Sequence, residues 1–355
     1  MLLATAGALT AQNPDAISGA TLKVEYLDQY HSDYGVRAYY NNDNFDNEPW
    51  TPLTGILPVL EGEILNPGQA RFWECDPRTV YVKESVRNAN GEPEFAGSFR
   101  YRGYSLADLV KDVVVEKANK EEYNLRVDLY VVVENDRGES AVFSWGELFY
   151  SKRGQDIIFA TEVAPIFPSA DDTRWESPTE YRIVAANDMF AVRYIENPVR
   201  IIIKSCPVSF PGEKGLKPIY SPELTIHMNS ESVAIDRIPR HSGEMGFETA
   251  FFGGHMGFKY ITEFRGYPLK DVLLDNFSFT DEEIRTGVLA VAAKDSYRVV
   301  WSLAEILNRA DAEHVLLQDY GKDENGRFII LPSADFFADR RLKAASVAYI
   351  IDGTR

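Results

Sequence analysis

The sequence predicts an α+β protein of layered mixed β-sheets with a few short helices, organised as two tandem copies of one unit. Three observations predict it. Residues 99–110, FRYRGYSLADLV, return as TEFRGYPLKDVL at 262–273. A second block, NDRGESAVFSWGEL (135–148), returns as KDSYRVVWSLAEI (294–306). A third, YRIVAANDMFAVRYI (181–195), returns as FIILPSADFFADRRL (328–342) and aligns Asp188 with Asp335, Phe190 with Phe337 and Arg193 with Arg340. Three blocks in the same order at an interval of about 150 residues indicate domain duplication, because solenoid repeats recur at 20–50 residues.

In chain order, LPVLEGEILNPGQ alternates apolar and polar positions as a strand does and breaks at Asn66-Pro67-Gly68, where Pro and Gly favour a turn. ARFWECDP reads as a short helix carrying Cys75, and TVYVKESV (79–86) as a second alternating strand. Ser105 stands where a helix cap belongs, ahead of Leu106, Leu109, Val110 and Val113 at helical spacing; Pro268 takes its place in the second copy as a first-turn proline. Val127–Glu134 and Ser140–Ser144 read as strands joined by an Asn-Asp-Arg-Gly turn, and Trp145–Phe149 as a short helix. The YRIVAAND…VRYIENPVRIIIK block closes the unit with strands, Cys206 lying at the exit of the last. PGEKGLKP (211–218) is the linker, and KDENGRF (322–328) reads as a hairpin about Asn-Gly. The domains expected are therefore 53–210 and 219–355, preceded by an extension over 12–52.

Composition narrows the function. The chain has 355 residues, 45% hydrophobic and 26% charged, which suits a folded core. A net charge of −17 argues against a nucleic-acid or anionic-membrane surface, since such binding needs clustered Lys and Arg. No apolar run reaches the ~18 residues of a transmembrane span. The opening MLLATAGALTA has the apolar core and small-residue ending of a secretory signal without its basic leader, so residues 1–11 are expected to be a signal remnant and the protein extracytoplasmic, periplasmic or secreted. Cys75 and Cys206 are expected as buried free thiols.

The repeated blocks resemble the sulfite-oxidase-type molybdopterin-binding domain. GYSLADLV is similar to that family's glycine-led helix start, VVVENDRGESAVFSWGEL to its strand, turn and "F-S-x-x-E-L" segment, and the Asp188-to-Arg193 stretch to its late "D-x-x-x-x-R" motif. The second copy is similar and more divergent; together they span about 53–350. The resemblance implies a tandem pterin-binding fold. In the family's catalytic members a cysteine thiolate holds molybdenum from the loop before the helix. Here 79–104 and 247–267 contain no cysteine, so the chain is not expected to be a molybdenum oxidoreductase in its own right, and bound molybdopterin is not expected. A molybdopterin enzyme with unusual ligation is the reading that this departure leaves last. Arg193 and Arg340 stand where a guanidinium would grip the pterin's phosphate; the commoner role for such residues is an ion pair with Asp188 or Asp335.

A second resemblance lies at 15–21. DAISGAT is similar to the sequence to which an exported flavin transferase joins FMN through the last threonine. That implies Thr21 as the phosphoryl acceptor, with Asp15, Ser18 and Gly19 as the recognition positions. The same residues also make an ordinary turn leading into the strand LKVEYL. A flavinylated chain would work with extracytoplasmic redox proteins in electron transfer. The remaining candidate is His255 in FFGGHMGF, where glycines let backbone approach a ligand. His31, His227, His241 and His314 lack metal-ligand spacing, and NNDNFDNE (41–48) lacks the spacing of a calcium loop. Nucleophile-elbow and phosphate-loop motifs are missing. The functions expected are thus a redox accessory with covalent FMN or a non-catalytic binding scaffold that reuses the fold.

Overall fold

The computed structural model describes residues 48–168, 172–210, 212, 215–216, 219–238, 243–253, 257–321 and 326–355. Two units are distinguished: residues 50–166 with 175–355, and residues 1–49 with 167–174. Of the second, only 48–49, 167–168 and 172–174 are described, with the Arg174 guanidinium 4.6 Å from the Phe167 ring centre. The signal-like segment, DAISGAT, most of the acidic stretch 41–48 and most of 211–218 lie outside the described residues.

The first unit is mainly β, with a few short helices and four mixed or antiparallel sheets. Its first half runs β1 (Thr51–Pro52), β2 (Val59–Gly62), β3 (Gly68–Gln69), β4 (Pro77–Arg87), β5 (Pro93–Ser105), α1 (Leu106–Val110), β6 (Leu129–Asn135), β7 (Ser140–Ser144), α2 (Trp145–Phe149), β8 (Ile157–Pro165), β9 (Arg182–Ala185) and β10 (Pro198–Ser205). Its second half runs β11 (Leu224–Met228), β12 (Glu231–Ile235), β13 (Met245–Gly253), β14 (Gly257–Pro268), α3 (Leu269–Leu274), α4 (Asp281–Thr286), β15 (Gly287–Ala293), β16 (Arg298–Ser302), α5 (Leu303–Leu307), β17 (Val315–Asp319), β18 (Phe328–Pro332) and β19 (Ala345–Asp352).

The halves share one connectivity. One sheet of the first half has the order β3-β2-β10-β6-β7, and one of the second has β12-β11-β19-β15-β16. Each contains a single parallel pair, β2 with β10 and β11 with β19. The other sheets match as β4-β5-β8-β9 and β13-β14-β17-β18, with β1 added outside β8 in the first half.

β6 and β15 are apolar at nearly every position because both of their faces are covered. Leu129, Val131 and Val133 enter the first half's core, and Leu289 and Val291 enter the second's. The alternate residues Tyr130, Val132, Val288, Ala290 and Ala292 meet in a cluster between the halves, joined by Val142 and Val300. Of the continuous run VDLYVVV, Leu129 to Val133 is thus an interior strand buried on both faces, while Val127 and Asp128 belong to a 3-10 turn ahead of it.

The expected helices form but are short. The α1 region stops at Val110, and although Ser105 is its N-cap, the Ser105 side chain makes no capping bond. Pro268 sits at the N-cap of α3 and not inside its first turn. ARFWECDP gives one 3-10 turn, Phe72–Glu74. The few short helices that the sequence predicts are thus present as single turns between strands, in a fold that is mainly β.

Candidate functional site

The residues that carry charge in the repeated motifs converge on the boundary between the halves. Helices α2 and α5 both begin with Ser-x-x-Glu, and each serine caps its own helix: Ser144 Oγ accepts the Glu147 N–H at 2.8 Å, and Ser302 Oγ accepts the Glu305 N–H at 3.2 Å. The glutamates do not return to their own caps, as they would in a capping box. They cross the boundary. Ser144 donates its hydroxyl to Glu305 Oε2 at 2.7 Å, and Ser302 donates to Glu147 Oε2 at 2.9 Å.

Each glutamate also receives the arginine of its own half. Arg193 donates to both Glu147 oxygens at 2.9 and 2.8 Å and to both Asp188 oxygens at 2.8 and 2.6 Å. Its remaining N–H reaches the Val142 carbonyl at 3.3 Å, so all five donors are used. Arg340 repeats the pattern, with Nε and Nη2 on Asp335 at 2.7 Å each and Nη1 on Glu305 at 2.6 Å. Main-chain contacts follow the same twofold relation: Met189 N–H donates to Asn308 O and Phe336 N–H to Tyr150 O.

The symmetry breaks at one pair. Where the first half has Ser151, the second has Arg309, and the two touch at 2.8 Å. Arg309 also lies 3.6 Å from Glu147 Oε1 and 2.7 Å from Asp311 Oδ2. Three arginines, Arg193, Arg340 and Arg309, therefore face four carboxylates with side chains at most 3% exposed, Glu147, Glu305, Asp188 and Asp335. Burial opposes ionisation of Glu147, but Arg193 and Arg309 together hold its carboxyl below the usual range. For Glu305, burial first, with the charge of Glu147 added, outweighs the pull of Arg340 and Arg309 and pushes the carboxyl up to about 7. Of the two glutamates, Glu305 is thus the one whose carboxyl is held above its ordinary range.

Sequence reasoning found Asp188, Arg193, Asp335 and Arg340 and missed Ser144, Glu147, Ser302, Glu305 and Arg309. The aligned FSWGEL and WSLAEI contained the signal, since a serine and a glutamate three apart recur in both. The other site residues, Asp15, Ser18, Gly19, Thr21 and His255, lie outside the described residues, as do His31 and His241. His227 stacks on Tyr349 at 4.7 Å, and His314 Nδ1 lies 2.9 Å from Ser333 Oγ beside the Phe247 ring.

A second ionic cluster ties the halves at Asp128. Lys117 and Arg298 both bond its carboxylate, and Arg298 Nη1 also reaches Glu122 at 2.7 Å. Burial raises the Asp128 carboxyl and lowers the Lys117 ammonium, which is the cost of an ion pair held away from water.

Both cysteines are unpaired; Cys206 is buried, but Cys75 is half-exposed, so only one of the two expected buried thiols is buried. The stretch 79–104 lies in β4, β5 and the turn between them, and the described residues of 247–267 lie in the paired strands β13 and β14. Cys75 does, however, line a cleft of about 300 Å³ with Leu60, Ile64, Gly68, Asp108 and Leu109, a placement that its position in the sequence did not suggest. Burial first, and then the Asp108 charge, raise its thiol. Among the described residues no three His, Cys, Asp or Glu side chains are grouped to hold a metal, and no helix is long and apolar enough to cross a membrane. No family model, curated protein or solved structure was found to match the chain.

Proposed function

We propose that the folded part of this chain is a non-catalytic scaffold built from two tandem repeats of the sulfite-oxidase-type fold, in which the motif arginines join the repeats and no longer serve a cofactor. One observation carries this reading: Arg193, which the resemblance offers as the relic of a pterin-phosphate pocket, has every N–H bonded to protein and no exposed surface. A phosphate would have to displace two carboxylates from it. The matched strand orders of the two halves support the tandem fold. The test is to purify the full chain from a host that makes molybdopterin and to assay molybdenum and extractable pterin. Less than a tenth of an equivalent of either is expected, and stoichiometric molybdenum would establish unusual ligation instead.

A second reading adds to the first. DAISGAT favours covalent FMN on Thr21, carried on a tether for extracytoplasmic electron transfer. Coexpression with a flavin transferase should add one FMN to the intact mass of the wild type and none to Thr21→Ala. An unmodified wild type under those conditions removes this reading and leaves the scaffold standing.

A further inference from the structure

Strand β14 holds the place in the second half that β5 holds in the first, but the two differ on one side. β5 is paired with β8 from Ser105 opposite Ile158 out to Phe99 opposite Pro165. β14 is paired with β17 only at Tyr267 and Pro268. The reason is that β17 ends at Asp319 and turns back, with Tyr320 N–H donating to Arg327 O at 2.8 Å. Among the described residues, no strand lies against this side of β14 from Ile261 to Arg265.

The vacancy has a partial plug. Gln318 Nε2 donates to the Arg265 carbonyl at 2.7 Å, taking one position that a neighbouring strand would take, while its buried Oε1 has no partner. That bond shows which way the Arg265 carbonyl points. Because successive residues of a strand turn their N–H and C=O to alternate sides, those of Glu263 and Ile261 point the same way. They face an open groove of about 850 Å³ that Tyr260, Thr262 and Phe264 help to line. The strand is exposed there on both faces, Tyr260 at 49% and Ile261 at 65%.

The sequence of the strand says what fits. Lys259-Tyr260-Ile261-Thr262-Glu263 is its own complement when read antiparallel about Ile261: Lys259 falls opposite Glu263, and Tyr260 opposite Thr262. Opposite-charge and aromatic–β-branched pairs are among the cross-strand combinations that stabilise sheets. We propose that a second copy of this chain adds its β14 at this edge, with a twofold axis through Ile261, so that two β13-β14-β17-β18 sheets become one. The axis falls on a residue whose N–H and C=O both face the partner, which is what a symmetric hydrogen-bonded pair requires.

Lys259 explains the selectivity. It is the extra residue of a bulge, since the pairing with β13 steps from Tyr260 directly to Phe258. A lysine and a bulge at an open edge ordinarily keep strands away. Opposite Glu263 of another copy, the same lysine is neutralised, so the device repels other strands and admits this one.

Sedimentation of the full chain at physiological salt, which screens the net charge of −17, tests the proposal. A dimer is expected. Lys259→Glu or Glu263→Lys should each weaken it by about tenfold or more, because each turns two attractive pairs into like-charge pairs, and the double exchange should restore it. Thermal melting of each variant separates lost association from lost folding. In a Cys75→Ser background, Ile261→Cys should form an intermolecular disulfide on mild oxidation, since a hydrogen-bonded pair holds its Cα atoms about 5.5 Å apart, within disulfide reach. Arg265→Cys should not, as its symmetry mate lies several residues away along the ladder. A chain that stays monomeric at tens of micromolar overturns the proposal, whatever other strand the edge then serves. So does a dimer that is indifferent to both charge reversals and does not cross-link at Ile261.

Discussion

Ser144 of the first repeat donates its hydroxyl to Glu305 of the second at 2.7 Å while its oxygen caps the helix of Glu147, and Ser302 does the same in reverse. The duplicated capping motif is thereby shared between repeats. Each serine serves a helix end and a buried carboxylate at once, so Ser144→Ala should cost about 1–3 kcal/mol, more than an exposed cap. A Ser144→Ala/Glu305→Gln double-mutant cycle in urea should give a non-zero coupling, and unfolding should remain a single transition for near- and far-ultraviolet signals. Two separate transitions would show that the repeats do not fold together.

The Glu305 carboxyl gives the cluster a pH dependence of definite sign. Its folded value, raised to about 7 from an ordinary 4.5, means that the native state binds the extra proton over that interval. Stability attributable to this group is therefore present below about 4.5 and falls as pH rises towards 7. Glu305→Gln imitates the protonated form. Its stability relative to wild type should be near equal at pH 5 and more favourable at pH 8, by an amount on the order of 1–3 kcal/mol. Chemical denaturation at the two pH values checks this, and a difference of the opposite sign would place the proton elsewhere.

Arg193 is the sharper test of a structural role. Replacing it with Met leaves Glu147 and Asp188 buried without their shared cation, which should cost about 3–5 kcal/mol. Added phosphate should not restore the melting temperature, because the cavity left behind is lined by carboxylates. Restoration by phosphate would return Arg193 to the role of an anion site.

Much of this architecture was legible in the sequence because duplication marks the same residues twice. The strand patterns at 79–86, 140–144 and 198–205 and the helix at 145–149 sit where their alternation and caps put them. Strand β8 was not read, since IIFATEVAP has one apolar run and no clean alternation; both of its faces are covered, Ile157 and Phe159 entering one core and Ile158, Ala160 and Val163 another. The cross-repeat bonds were also out of reach. Ser-x-x-Glu has a complete local explanation as a cap, and nothing local shows that the glutamate turns to the other repeat. Cys75 stands about 30 residues before α1 in the sequence, and only the fold shows that it lines one cleft with Asp108 of that helix.

Gly146 makes the last test, because it bears directly on how closely the repeats approach. A Cβ built on it would lie 2.2 Å from Arg340 Cδ and 2.5 Å from its Nε, so the stem of the second repeat's arginine crosses α2 where a side chain would stand. Its counterpart in the second repeat is Ala304. Gly146→Ala should therefore destabilise by about 1–3 kcal/mol despite alanine's better helix propensity, the clash outweighing a gain of about 1 kcal/mol. Ala304→Gly should lose only that propensity, about 1 kcal/mol. Melts of the two single variants decide it: equal and small effects would mean that Arg340 has room to move, and that the repeats are less tightly joined than this contact requires.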